Sequence, residues 1–284
     1  AEAAFLRALQ IDPSSSESFI GLGDVYLALN RPEQAEENFR QALGLHPGNW
    51  SAYNRYGNFL FRQGRYAEAA RQYEAVVALD HDNMNGFSNL GVAYMLDGDF
   101  SSSLTAYTRS LAIEPKKVTY SNLGLLHYYL GNLEQSIESH RQAIALEPND
   151  YLAWSNLGDS LSISGDEAEA RRAFERAREL AMIALDANPS DPYTIMDLAW
   201  IDSMIGDQQQ AVAWIARARE LAPDDPYTWY YEGLVLFRGG KPDEAINALS
   251  EAVNKGYSPK LLGAEPRFAP LKTDTRFLTI ISGN

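Results

Sequence analysis

Residues 87–94 read FSNLGVAY, and the same eight-residue pattern returns along most of the chain. The related stretches are FIGLGDVY (19–26), YNRYGNFL (53–60), YSNLGLLH (120–127), WSNLGDSL (154–161), IMDLAWID (195–202) and WYYEGLVL (229–236). Their fifth residues are Gly23, Gly57, Gly91, Gly124, Gly158, Ala199 and Gly233, spaced by 34, 34, 33, 34, 41 and 34 positions. Self-similarity at this period indicates a stack of small structural repeats rather than one or two globular domains.

Other positions recur with these anchor residues, and together they describe one helix–turn–helix unit. A large side chain, a leucine, the anchor and a tyrosine or leucine lie on one helical face, as Phe19, Leu22, Gly23 and Tyr26 do. Seven residues after each anchor comes a helix stop: Asn30, Gly64, Gly98, Gly131, Gly165, Gly206 and Gly240. A second amphipathic helix follows, with a small residue twelve positions and a larger one sixteen positions after the anchor, and proline ends most units.

This unit resembles the tetratricopeptide repeat, a 34-residue helix–turn–helix, over residues 1–257. The resemblance implies an all-α fold, a right-handed α-solenoid (superhelix) of antiparallel helix pairs with a concave inner groove. The predicted boundaries are 1–15 for the second helix of a truncated repeat; 16–49, 50–83, 84–116, 117–150, 151–191, 192–225 and 226–257 for seven units; and 258–284 for a C-terminal cap. The 41-residue spacing predicts a lengthened second helix, from about Glu167 to Ala187, in the unit at 151–191.

Both ends of the sequence depart from the repeat. Phe5 and Pro13 match second-helix positions, so the chain is interpreted as opening inside a repeat of a longer protein. The alternative is a homodimer that covers this exposed terminal repeat. The proline-rich tail beyond Tyr257 is expected to fold back over the last apolar face. This tail and the segment from Ala177 to Pro192 are similar to tetratricopeptide domains of bacterial multidomain regulators, namely protein kinases, nucleotide cyclases and winged-helix transcription regulators.

The composition excludes several classes of function. The 38 acidic residues outnumber 24 basic ones, and a net charge of −14 argues against a nucleic-acid partner. No apolar run approaches the ~20 residues that span a bilayer, so membrane insertion is not predicted. The absence of cysteine excludes disulfides and thiolate metal sites. We expect a soluble protein, with the cytoplasm favoured and a bacterial envelope compartment left open.

No group of residues in the sequence carries a recognisable catalytic motif. We therefore predict a protein that is not an enzyme and has no catalytic residues, cofactor or metal. His127 and His140 stand where the repeat places packing residues, and no third ligand recurs at metal-binding spacing. A metal-dependent enzyme built on this histidine pair is the remaining chemical alternative.

The side of each first helix that lies opposite its packing face looks into the concave groove in the fold that the resemblance implies, and is called its inner side below. Asn89, Asn122 and Asn156 stand there, and amides can both donate to and accept from an extended peptide backbone. The predicted peptide-binding groove comprises Asn54, Asn58, Phe61, Arg62, Asn89, Asn122, Tyr128, Tyr129, Asn156, Trp200, Met204 and Tyr230. Aromatic residues, methionine and arginine are enriched in interface cores. Part of this set is expected to pack against the next repeat or the tail instead, and asparagine is also common at this position in unrelated repeats.

Two functions are compatible with this pattern. The preferred one is a non-catalytic interaction scaffold whose concave groove binds a peptide or partner helix. The alternative is a sensory, regulatory or oligomerisation domain of a larger bacterial signalling or transcription protein, in which the repeats dimerise or bind a small ligand.

Overall fold

The computed structural model describes residues 1–282, and every regular element within them is helical. The chain divides into two compact units, one spanning Ala1–Pro115 and the other beginning at Lys116. Each unit is a stack of antiparallel helix pairs, which confirms the predicted α-solenoid class.

The first unit contains seven helices. They are α1 (Glu2–Ile11), α2 (Ser16–Ala28), α3 (Pro32–Leu45), α4 (Trp50–Arg62), α5 (Tyr66–Leu79), α6 (Met84–Asp97) and α7 (Phe100–Ile113). Helices α2 and α3, α4 and α5, and α6 and α7 form pairs, and successive pairs touch through α3 with α4 and α5 with α6.

The second unit continues the same arrangement and ends in a compact tail. Its helices are α8 (Lys117–Tyr129), α9 (Leu133–Leu146), α10 (Tyr151–Ser164), α11 (Glu167–Ala187), α12 (Pro192–Ile205), α13 (Gln208–Leu221), α14 (Pro226–Arg238) and α15 (Pro242–Asn254). The tail consists of α16 (Pro259–Ala264), a 3-10 helix (Pro266–Thr273) and α17 (Thr275–Ser282), and α17 packs on α15. Helix α11 is 21 residues long, against 13 or 14 for the other helices of the stacked pairs.

The turn inside each helix pair has left-handed backbone at the seven recurring stop positions. The φ angle ranges from 56° at Asn30 to 105° at Gly206. Glycine adopts this conformation without steric cost, and asparagine is among the few other residues that tolerate it. The recurring stop residues therefore reverse the chain direction once in every helix pair.

The anchor glycines set how closely the two helices of a pair approach. A Cβ atom added at Gly23 would lie 2.6 Å from Cε1 of Phe39, and one at Gly57 would lie 2.7 Å from Cε1 of Tyr73. The same relation joins the anchors at 91, 124, 158 and 233 to the side chains of Tyr107, His140, Phe174 and Leu249. The large residue sixteen positions after each of these anchors thus fills the space that the missing side chain leaves.

Each unit has its own hydrophobic core. In the first unit Leu22, Phe39, Phe59, Leu60 and Tyr73 are buried together. In the second, the core includes a group from α10 to α12: Leu157, Phe174, Leu185, Ile195 and Met196. No helix among residues 1–282 combines the length and the apolar character needed to cross a bilayer.

Candidate protein-interaction surface

In the first unit the structure brings two of the predicted groove amides together. The Nδ2 of Asn89 on α6 donates to Oδ1 of Asn54 on α4, across 3.4 Å, and both side chains are half-buried. Asn58 lies one turn further along α4, and its Oδ1 accepts a 2.8 Å hydrogen bond from the Tyr73 hydroxyl. Asn58 therefore supports the packing of Tyr73, whereas the Asn54–Asn89 pair keeps some amide groups available to solvent.

Two further predicted residues lie at the end of α4. Phe61 is half-buried and meets the ring of Tyr66 edge to face at 5.4 Å. Arg62 is exposed. The first unit thus combines an amide pair, an aromatic side chain and an exposed guanidinium, which are groups suited to a polar peptide.

In the second unit the tail covers three of the predicted aromatic residues. Tyr128, Trp200 and Tyr230 are only 2%, 4% and 7% exposed, respectively. Tyr128 and Tyr230 donate hydrogen bonds to Glu265, and the ring of Trp200 stacks on Arg267. Glu265 and Arg267 stand at the start of the 3-10 helix. The tail therefore covers these three side chains, which is the arrangement expected for part of the predicted set, and their role in a peptide-binding groove stays a prediction.

Glu265 is buried, the side chain of Arg267 is only 12% exposed, and both are paired. Glu265 accepts hydrogen bonds from the hydroxyls of Tyr128 (2.6 Å) and Tyr230 (3.0 Å). Arg267 Nη2 lies 2.5 Å from Oδ1 of Asp159, and Nη1 lies 3.1 Å from Oε1 of Glu265. Burial opposes the charge on Arg267, but Asp159, Tyr128 and Glu265 outweigh it, so the pKa of the guanidinium is raised. These contacts hold Arg267 fully charged in a largely water-free position.

A cavity of about 150 Å³ lies beside this ion pair. Its walls are mostly aromatic and polar: Tyr129, Tyr227, Tyr230, Tyr231, Tyr257, Trp200, Asn156, Asp159 and His140 contribute. Burial raises the pKa of four of these tyrosines, so their hydroxyls stay protonated: Tyr129, Tyr230, Tyr231 and Tyr257. The predicted groove residues Tyr129 and Asn156 therefore line this cavity together with other hydrogen-bonding groups.

A second buried carboxyl group adjoins the cavity wall. Asp197 accepts hydrogen bonds from the hydroxyls of Tyr231 (2.5 Å) and Tyr151 (3.1 Å). Burial raises the pKa of Asp197 to about 7, although both tyrosines act to lower it. This side chain consequently changes charge near neutral pH inside the second unit.

The two histidines of the metal alternative serve as packing residues. His140 is buried against Gly124, and burial lowers its pKa to about 3. His127 is half-buried, with a pKa that burial also lowers. Across the part of the chain that the structure describes, no three His, Cys, Asp or Glu side chains form a set that could hold a metal ion.

The other predicted residues of the second unit remain accessible. Met204 is half-buried and lines an open groove of about 310 Å³ with Ile163, Phe237 and Arg238. Asn122 on α8 is half-buried. This groove lies beside Trp200 and Arg267, so it borders the covered part of the surface.

Sequence reasoning missed Asp159, Glu265 and Arg267 as parts of this surface. Asp159 follows its anchor glycine by one position, which faces the inner side of the first helix, and this offset is the signal that could have found it. Glu265 and Arg267 flank Pro266 in the aperiodic tail, where the repeat gives no information about partners.

Three family models, each described as tetratricopeptide repeat, match the chain. The first model matches three ranges, residues 20–83, 60–117 and 205–259. The second matches residues 150–224, and the third matches residues 118–150. No curated protein matches the sequence.

Several solved structures are similar in fold. A tetratricopeptide repeat protein from Parabacteroides merdae has a TM-score of 0.64 and 18% identity over 89% of this chain and 98% of its own. MamA has a TM-score of 0.56 and 20% identity over 61% of this chain and 95% of its own. PilF of Pseudomonas aeruginosa has a TM-score of 0.54 and 17% identity over 78% and 97%, respectively. At these identities the similarity concerns the fold alone.

Proposed function

Because the chain belongs to the tetratricopeptide repeat family, we propose that it is a non-catalytic scaffold that binds a peptide or a partner helix on the inner faces of its first helices. The observation that carries the proposal is the amide pair of Asn54 and Asn89, which join two successive first helices on one face. An amide pair of this kind can read the backbone of an extended peptide without requiring one sequence. In the second unit, Asn122 and Asn156 stand two residues before their anchor glycines, as Asn89 does in the first.

The test is a triple substitution of Asn89, Asn122 and Asn156 to alanine in the full chain. Affinity capture from the native organism should recover a partner with the wild type and much less of it with the triple variant. All three asparagines are half-buried and partly solvated, so the unfolding temperature should change little. Equal recovery with both proteins would refute the role of these amides.

A matched control removes three amides from the second helices. Gln41, Gln142 and Gln209 are exposed on α3, α9 and α13. Their triple alanine variant loses the same kind of group away from the proposed surface, so it should capture the partner as the wild type does.

A second candidate function is a regulatory domain that responds to a small ligand. The cavity beside Asp159 supports it, because a cavity lined by several tyrosine hydroxyls and a carboxylate suits a small polar molecule. Thermal-shift screening of the intact protein against small polar metabolites tests this candidate. The compartment, the cytoplasm or a bacterial envelope, and self-association through the first repeat stay predictions that fractionation and light scattering decide.

A further inference from the structure

The tail segment EPRF, residues 265–268, is bound side chain by side chain on the inner face of the second unit. The carboxylate of Glu265 lies between two tyrosine hydroxyls, those of Tyr128 and Tyr230. Each hydroxyl donates to a different carboxylate oxygen, so the hydrogen bonds fix the orientation of the group.

The guanidinium of Arg267 is held by an aromatic and acidic cage. Its Cζ lies 4.5 Å from the ring centroid of Trp200 and 5.1 Å from that of Tyr128. Asp159 forms the ion pair, and the indole Nε1 of Trp200 donates to the same carboxylate oxygen across 2.8 Å. Trp200 therefore positions Asp159 and also stacks on the cation that Asp159 binds.

Phe268 completes the segment in a third pocket. It is fully buried, with ring centroids of Phe237 at 5.5 Å and Tyr230 at 6.5 Å, both at steep angles. Within these four tail residues, the side chains of Glu265, Arg267 and Phe268 each have their own set of contacts on the second unit.

These polar contacts exceed what covering an apolar face requires. A terminal cap needs apolar area, and a buried ion pair in place of apolar packing contributes little to stability because desolvation opposes it. Buried, hydrogen-bonded charges instead allow a site to discriminate between ligands, because a ligand that lacks the matching group leaves a buried charge of the site unpaired. The open groove at Met204 and Arg238 reaches Arg267, which gives a second peptide a path to the cage.

From this geometry we propose that the inner face of the second unit is an arginine-binding peptide site. The tail occupies it within the chain, and the partner that competes for it presents an acidic residue, an arginine two positions later and then an aromatic residue. This inference rests on the proposed scaffold function and names the partner chemistry of its second unit.

The test uses a synthetic peptide, acetyl-EPRFAP-amide, which reproduces residues 265–270, and the full-length protein. A tethered segment competes at an effective concentration in the millimolar range, so the wild type should bind the peptide weakly. Arg267→Ala empties the cage and weakens the resident competitor, and the peptide should bind this variant at least ~10-fold more tightly. The matched control is Arg276→Ala, which removes an exposed tail arginine that pairs with Asp274 and Asp243, and its affinity should equal that of the wild type.

A second probe, acetyl-EPKFAP-amide, tests the guanidinium requirement. Lysine lacks the planar group that stacks on Trp200, so Arg267→Ala should bind this peptide at least ~10-fold more weakly than the arginine peptide. Equal affinity for the two peptides, or equal affinity of the two protein variants for the arginine peptide, would overturn the proposal.

A third measurement needs no variant and covers the case in which Arg267→Ala does not fold. With millimolar acetyl-EPRFAP-amide, hydrogen exchange of wild-type tail amides, residues 259–282, should accelerate because the peptide displaces the tail. Unchanged protection there would overturn competition for this site. The asparagine triple variant is read independently, so weak peptide binding together with asparagine-dependent capture would reject the arginine site and retain the scaffold function.

Discussion

Gly23→Ala probes the packing rule on which the whole stack depends. The added Cβ would lie 2.6, 2.8 and 2.9 Å from three ring atoms of Phe39, about 0.8 Å short of ordinary van der Waals contact at the nearest. Phe39 is 1% exposed and already contacts the rings of Tyr56 and Phe59, at 6.2 and 5.8 Å between centroids. These neighbouring rings limit how far the Phe39 ring can move. Overpacking of this kind costs about 1–3 kcal/mol, and the gain in helix propensity returns about 1 kcal/mol, so we expect a net loss of up to about 2 kcal/mol.

The control for this substitution lies in the neighbouring helix. Gly44 on α3 is exposed, and a Cβ there meets nothing within 4 Å. Gly44→Ala should therefore stabilise the protein by up to about 1 kcal/mol, the opposite sign for the same chemical change.

Urea unfolding followed by circular dichroism measures both variants, with the midpoint of the transition as the readout. Phe39→Leu in the Gly23→Ala background should restore part of the lost stability, giving a coupling free energy of about 1 kcal/mol. If Gly23→Ala raised the midpoint as Gly44→Ala does, the close approach of α2 and α3 would not be the reason for glycine at the anchor positions.

Substitutions at three further positions test the buried titratable groups of the second unit by the same urea assay. The pKa of His140 is about 3 in the folded protein and ~6.5 in the unfolded chain, so wild-type stability falls as the pH drops from about 6.5 towards 3. His140→Phe should flatten this fall, and an unchanged slope of stability against pH would contradict the role given to His140. Asp197 has the opposite sign: its folded pKa of about 7 exceeds the unfolded ~3.9, so stability is lost as the pH rises from about 4 to 7. Asp197→Asn should recover up to about 4 kcal/mol at pH 8, and a variant less stable than the wild type at that pH would show that the tyrosine hydrogen bonds outweigh burial. Arg178→Met leaves the fully buried Asp202 with Trp214 as its remaining partner and should cost about 1–3 kcal/mol, whereas Arg178→Lys should cost less; equal losses would mean that the charge is not what matters.

The fold was predictable because every repeat carries its own structural signals. The left-handed backbone at Gly64, the space left by Gly57 and the Tyr73 side chain that fills it all belong to one repeat. The other repeats have the same arrangement with few exceptions. Sequence periodicity therefore predicts both the helix pairing and the buried face without knowledge of any distant contact.

The candidate surface was only partly predictable, and the tail is the reason. The offsets that select Trp200 and Tyr230 predict which side of a helix these residues occupy, but they say nothing about what covers that side. Glu265 lies 137 residues from Tyr128 along the chain, and no periodic pattern encodes a contact at that distance. Asn54 and Asn89, in contrast, lie 35 residues apart, close to one period, and their hydrogen bond follows from the repeat itself.

The hydrogen bond between Tyr128 and Glu265 also changes how the second unit should come apart. In a stack of pairs that touch only their neighbours, the terminal pair can open first and the rest can follow in steps. Here the tail returns to α8, the first helix of the unit, and ties it to the last segment. Opening at either end breaks the same buried contact, so helices α8 to α17 should melt as one cooperative block. Forming that block requires closing a long loop, which makes it the slower of the two units to fold.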